Sequence, residues 1–369
     1  MKKILKTLLA LSLVLAILAG CTPKRDNTTE NKATTEETKK TENGSETIEF
    51  TDSAGRKVTI PKNVERIAPV GPPAQQMLLT FAPEKMVGLT GELNPNQTKY
   101  IKEEYSKLPV FGAFYGAADI NMEAIAAADP QLIIDIGERK ETVIQDMDGI
   151  QEQLKIPTIF IEATMETMPE AYLQLGKVLG MEEKGKKHSD YCAKNYKEIT
   201  EGLSKIPEDQ RKSFLYTGGE NGLNVISEGS FHAEITDMMG KNVAVLENET
   251  SRGTGDPVSE EVILSWKPEI ILFQAKSIYD KVKTDPVFST MDPVKEGKVY
   301  ETPSAPYSWL GSPPSINRYM GMLWLGKLFY PEVFEYDLKE KTKEYYKLFY
   351  DYDLTDDEYT EITAKSMPK

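Results

Sequence analysis

Histidine and cysteine are almost absent, with two of each in 369 residues. His188 and His232 stand far apart, so the chain has no zinc-type ligand spacing. Cys21 stands directly behind the apolar leader, and with it set aside Cys192 has no partner for an internal disulfide. The nucleophile elbow G-x-S-x-G, the P-loop and the dinucleotide fingerprint G-x-G-x-x-G are all missing. His188 and Cys192, four residues apart, allow a thiolate–imidazole pair, but they also fit one buried helix stripe, the commoner arrangement. These absences argue against an enzyme. Positive charge is in the minority, with 44 Lys and Arg against 58 Asp and Glu. Losing Lys2, Lys3 and Lys6 with the leader takes the net charge from −14 to −17. So acidic a chain is a poor partner for nucleic acid or an anionic membrane surface.

A long hydrophobic run occurs only once. "MKKILK" is followed by the apolar stretch Thr7 to Gly20 and then Cys21. A basic start, a short apolar run and a small-residue exit make an export signal. The run is short of the ~20 residues that span a bilayer. "LAGC" resembles a bacterial lipobox, which implies that Cys21 carries diacylglycerol and opens the mature chain; an ordinary signal peptide cut nearby is the alternative. Residues 21–47 are Thr, Glu, Lys and Asn with almost nothing apolar. They cannot bury enough surface to offset chain entropy, so a disordered tether is expected.

From residue 48 onward, short apolar runs alternate with helical stretches, the pattern of a mostly parallel α/β sheet. "IEFTDSAGRKVTIP" reads as a hairpin turning at Ala54-Gly55. Strands are expected at 66–70, 85–89, 108–112, 131–136 and 157–163, and a second set at 213–217, 223–227, 243–246, 269–274 and 298–302. Between the sets, His188, Cys192, Tyr196, Ile199 and Leu203 recur at three- and four-residue spacing, one face of a helix. At ~1.5 Å per residue, a helix over 181–206 spans more than 30 Å. The expected organisation is a leader (1–20), a tether (21–47), an N-terminal α/β lobe (48–167), a linking helical segment (168–206) and a C-terminal α/β lobe with terminal helices (207–369). The fold class is α/β: two Rossmann-like lobes joined by a single long helix, with a ligand cleft between them.

The two halves echo each other. "INMEAIAAADPQLIID" and "VSEEVILSWKPEIILF" each carry a capping residue (Asn121, Ser259), a glutamate two places on (Glu123, Glu261), a proline seven beyond that (Pro130, Pro268) and an Ile-rich strand. This spells a capped short helix, a stop and a buried strand.

The hairpin, the echoed pair, "GSFHAEITDMMGKNVA" and the lipobox together resemble the iron-complex/siderophore/cobalamin class of ABC-importer substrate-binding lipoproteins, from residue 48 to about Pro331. The resemblance implies a membrane-anchored, extracytoplasmic, monomeric binding protein without a cofactor of its own. Its partners would be a permease–ATPase complex and a small metal chelate. Glu123 and Glu261 match the family's permease-docking glutamates, one per lobe. Alone, each carboxylate also suits the positive end of its helix by ~0.3–1 kcal/mol. Glu260 adjoins Glu261 and competes for that assignment.

Ligand contacts are expected from loops beyond the carboxyl ends of strands. In the first lobe these are 70–76 and 111–119, with Phe114 and Tyr115 where relatives present an aromatic. In the second lobe Tyr307 and Trp309 lie on a Pro/Gly/Ser loop, offering flat surface at low entropy cost. Arg318 opens the following helix, either as an anion clamp or as a surface salt-bridge partner. Arg252 is a weaker candidate of the same kind. The Met320, Leu323, Trp324 and Leu328 stripe reads as core. His232 faces the cleft in one reading and, paired with Met77, could ligate haem iron. Aromatics cover an organic surface and arginine pairs with carboxylate or catecholate oxygens. A ferric siderophore-type chelate is therefore expected first. Haem, a corrinoid or a molybdate-type oxyanion follow, and a surface adhesin or sensor without transport remains open.

Overall fold

The structure, a computed structural model, describes residues 39–40, 46–115, 119–250 and 253–368. The leader, Cys21, most of the tether and Arg252 lie outside the described residues. The hairpin begins at Glu46, inside the stretch expected to be tether, and Lys39–Lys40 pairs with its first two residues. Glu46–Thr51 and Lys57–Pro61 run antiparallel around Gly55, whose φ of +85° suits a residue without Cβ. Asp52 closes the turn by accepting from the Ala54 and Arg56 amides at 3.0 and 2.9 Å. It also takes the Phe160 amide at 3.2 Å, which fastens the hairpin to the first lobe.

In that lobe Ile67–Pro69, Leu132–Gly137 and Thr158–Glu162 form a parallel sheet. Leu132–Gly137 is buried along its whole length, as a strand covered on both faces must be. The strands expected at 85–89 and 108–112 shrink to single parallel bridges, Ile67 to Met86 and Leu89 to Val110. In the second lobe Ser213–Gly218 lies parallel to Ile270–Phe273, which lies parallel to Val299–Glu301. The strand expected at 223–227 is only Asn224–Val225 and runs antiparallel. The strand expected at 243–246 is replaced by Lys241–Asn242. Asn242 accepts the Ala244 amide at 3.1 Å, an Asx turn that bends the chain out of the sheet and leaves Val245 62% exposed.

The linking helix runs from Glu182 to Leu203, with His188, Cys192, Ile199 and Leu203 buried and Tyr196 half-buried. It follows Met168–Leu179 after Gly180 in the left-handed region (φ +64°). The two helices meet at Gly176 and Gly185. The C-terminal arm comprises helices Leu338–Tyr350 and Asp356–Thr363 and the stretch after them. It crosses the linking helix, where Lys341 reaches Glu198 at 2.6 Å and Asn195 at 2.9 Å. It then touches the first lobe through Lys99 and Glu358 at 3.2 Å. It ends on the second lobe, where the Trp324 indole donates to the Ser366 carbonyl at 2.7 Å. The expected core stripe of Met320, Leu323, Trp324 and Leu328 is buried.

A Cβ on Gly185 would stand 2.6 Å from the Tyr172 carbonyl oxygen and 3.0 Å from Gly176 Cα. Gly185→Ala should therefore lower stability by about 1–3 kcal/mol, outweighing the gain of up to about 1 kcal/mol in helix propensity. Urea unfolding measures it, and a raised midpoint would mean the helices are not in contact there.

Candidate ligand cleft

Loops from both lobes meet beyond the carboxyl ends of the parallel strands. The Asn96 side-chain amide donates to the Ser304 carbonyl at 3.4 Å, and the Ser315 hydroxyl to the Pro73 carbonyl at 3.3 Å. Deeper in, the Met165 amide donates to Glu234 at 2.9 Å and the Tyr319 hydroxyl to the Met165 carbonyl at 2.7 Å. A pocket of about 200 Å³ lies between residues 94–97 and the loops 274–276 and 304–312.

The first-lobe mouth is a charged cluster at the end of Leu132–Gly137. Burial pushes the Asp135 carboxyl up to about 6, partly offset by Lys140. Burial also raises Glu138, with Lys140 and Arg318 pulling the other way. The Lys140 ammonium sits 3.6 Å over the Tyr115 ring. The Tyr115 hydroxyl donates to Asp146 at 2.5 Å, where the Thr142 hydroxyl also donates at 2.7 Å. Burial and the Asp146 bond raise the Tyr115 phenol, so it stays neutral.

On the opposite side Arg318 is 1% exposed. It pairs with Glu234, donates to the Phe231 carbonyl and stacks 4.2 Å over the Phe231 ring. Burial brings it down to about 10, while Glu234 and Glu138 hold it up. His232 Nδ1 lies 3.2 Å from the Gly311 carbonyl, and burial, then Arg318, lowers its pKa.

Residues 82–306 match the periplasmic binding protein family. The chain is a periplasmic binding protein. Members of this family are solute-binding proteins of ABC transporters and not enzymes. It is 26% identical over 185 residues to the Fe(3+)-citrate-binding protein YfmC of Bacillus subtilis, covering 49% of this chain and 56% of that one. The match thus spans little more than half of the curated relative. An ABC transporter solute binding protein from Sulfurospirillum deleyianum superposes with TM-score 0.78 at 25% identity, over 86% of this chain and 99% of that one. The molybdate-binding MolA of Haemophilus influenzae shares the fold at 20% identity, with TM-score 0.68 over 83% of this chain and 99% of that one. Among the described residues no helix is long and apolar enough to cross a membrane.

The structure of this binding protein redistributes the expected site. Tyr115 and Phe114 pack edge-on at 4.9 Å within the first lobe, and Tyr115 spends its hydroxyl there. Tyr307 lines the inter-lobe pocket. Trp309 does not serve as a ligand platform: it is 1% exposed, and its indole donates to the Ala305 carbonyl at 3.3 Å, anchoring the loop from inside. Arg318 is not the surface pair that was one of its two expected roles: it is buried, its terminal nitrogens are held by Glu234 and the Phe231 carbonyl, and its Nε has no partner. Met77 is fully buried in the first-lobe core, so a haem held by His232 and Met77 is ruled out. Burial lowers His188 to about 3 and pushes the Cys192 thiol well up, so that pair holds neither imidazolium nor thiolate.

Glu123 and Glu261 are both exposed, one residue after the first of their helices. Asn121 and Ser259 cap the amides three places on, Ala124 and Val262, at 2.9 and 3.4 Å. Each helix has a single buried residue, Ile125 or Ile263, two beyond the glutamate. The Ser259 hydroxyl, then its own amide, lowers the Glu261 carboxyl. Glu138 and Lys276 escaped the sequence reading. Each lies fifteen residues beyond its echoed glutamate, just past the end of the buried strand. Continuing the echo past the strands would have found both.

Asp135 gives a pH test. A raised native pKa means the folded chain binds more protons than the unfolded one between about pH 4 and 6, so stability falls as pH rises through that window. Asp135→Asn should stabilise the protein at pH 8 by up to roughly 3 kcal/mol and by little at pH 4. Equal effects at both pH values would show that the carboxyl titrates normally.

Proposed function

We propose that this protein captures a ferric chelate outside the cytoplasm and delivers it to an ABC permease, held at the membrane by lipid on Cys21. The carrying observation is the pair of matched glutamates, Glu123 and Glu261. They sit in the same register of two capped helices, one on each lobe, with a polar cleft between the lobes. A helix-dipole role accounts for either glutamate alone but not for the repeat of cap, carboxylate and buried isoleucine. The curated relative's name, a ferric-citrate-binding protein, supports iron as the cargo. Among the described residues no group of three or more His, Cys, Asp or Glu side chains is placed to hold a bare metal ion. A chelate, whose iron is already coordinated, needs only contacts to its organic shell. The buried Trp309 removes the flat platform that a corrinoid or haem would favour, which moves those ligands further down.

Glu123→Lys or Glu261→Lys should abolish uptake of ferric citrate by cells. Binding to the purified chain should change by no more than about 0.5 kcal/mol, as for exposed positions outside the cleft. Calorimetry measures binding and radioactive iron measures uptake. Variants that lose binding yet transport normally per bound ligand would contradict the docking role. A wild-type chain that binds zinc or manganese but no ferric chelate would contradict the function.

A further inference from the structure

The inter-lobe pocket has an unusual wall. Its one charged side chain is Lys276, and no Asp or Glu lines it, although the chain carries a net charge of −14; the adjoining cavity that shares Lys276 carries Glu301 and Glu361, balanced by Lys99 and Lys365. The pocket's other polar groups are amides and hydroxyls, among them Asn94, Asn96, Gln274 and Ser312. Lys276 is exposed, forms no ion pair with any described residue, and holds a left-handed backbone (φ +65°) that a non-glycine residue rarely adopts. It stands three residues past Phe273, the last residue of a central parallel strand, where open α/β sheets present ligands. Tyr307 is 5% exposed, and its hydroxyl is turned away from solvent toward Gln75, so the ring rather than the hydroxyl forms its part of the wall.

We propose that this pocket seats the carboxylate end of an anionic, hydroxyl-bearing ligand. Lys276 is its counter-charge, and the neighbouring side-chain amides are its hydrogen-bond donors. The inference rests on reading the cleft as the ligand site and narrows the chelate class to hydroxycarboxylates. Lysine supplies a point charge rather than a planar fork, so it accepts a single carboxylate in several orientations. A pocket of about 200 Å³ is below the usual range for a whole organic ligand and suits one such arm, with the adjoining cavity of about 310 Å³ open to the rest of it. An uncharged trihydroxamate shell leaves the lysine unpaired, and a flat macrocycle finds no apolar wall.

Calorimetry on the full chain at low salt tests this with three probes: ferric citrate, iron-free citrate and an uncharged ferric trihydroxamate. The expected result is that Lys276→Gln weakens ferric citrate about tenfold or more, while Lys276→Arg keeps most of the affinity. Added salt should weaken wild-type binding, and the trihydroxamate should bind weakly without sensing residue 276. Lys276-dependent binding of iron-free citrate, without any ferric chelate, would support the pocket and overturn the iron reading. Ferric citrate bound equally by wild type and Lys276→Gln would overturn the pocket and leave the iron reading standing. No binding of either citrate would overturn both.

Discussion

Packing along one helix fixes where the two lobes stand. Glu182–Leu203 presents His188, Cys192, Ile199 and Leu203 as a continuous buried stripe, and elements of both lobes and the C-terminal arm lean on it. His188 shows how tight the seam is: its ring lies 4.7 Å from Phe349 of the arm and 5.4 Å from Phe81 of the first lobe. A helix of 22 residues has no internal hinge, so the lobes cannot swing about it as they would about an extended linker. The arm adds a second connection. Tyr100 of the first lobe is flanked edge-on by Tyr346 and Tyr352 at 5.1 and 4.9 Å. Tyr346 donates to the Ala305 carbonyl of the second lobe, and Lys365 pairs with Asp280 at 2.8 Å. The rigidity assigned to a single linking helix is thus shared with a strap that closes back across the lobes.

Electrostatics in the cleft follow from that fixed geometry. An acidic chain would repel an anionic chelate unless negative charge were withdrawn locally. Burial works in that direction at Asp135 and Glu138, raising both carboxyls, Asp135 to about 6, so that each takes up its charge only at higher pH than a free carboxyl would. Arg318 neutralises Glu234, and that pair in turn holds the Met165 amide across the lobe junction. What remains at the mouth is Lys140 over Tyr115 and, across the cleft, Lys276 with no counter-ion among the described residues. The arginine with the more obvious charge serves the architecture, and a lysine is left for the ligand.

Periodicity and the internal echo made the architecture readable from the sequence, because both depend on local spacing. The linking helix, the capped helices and the central strands Leu132–Gly137 and Ile270–Phe273 all lie where apolar spacing, caps and prolines placed them. The edge elements did not follow. Residues 85–89 and 108–112 have apolar runs but form single bridges, and an Asx turn at Asn242 displaced the strand expected after it. Site residues were the least legible. Trp309 on a Pro/Gly/Ser loop looked exposed, yet the loop folds its ring inward onto its own carbonyls. Arg318 looked free because Glu234, its partner, is 84 residues away. Such pairings depend on tertiary contacts that no local pattern encodes. Lys276 was visible only by aligning the two halves beyond their strands.

The central claim is that the lobes are already positioned around the ligand pocket before anything binds. Spin labels at Lys107→Cys in the first lobe and Lys283→Cys in the second, in a Cys21→Ser chain whose Cys192 stays buried, report the inter-lobe distance directly. The expected result is one narrow distance distribution that moves by about 2 Å or less on adding ferric citrate. A broad distribution in the free protein that collapses to a much shorter distance on binding would contradict it.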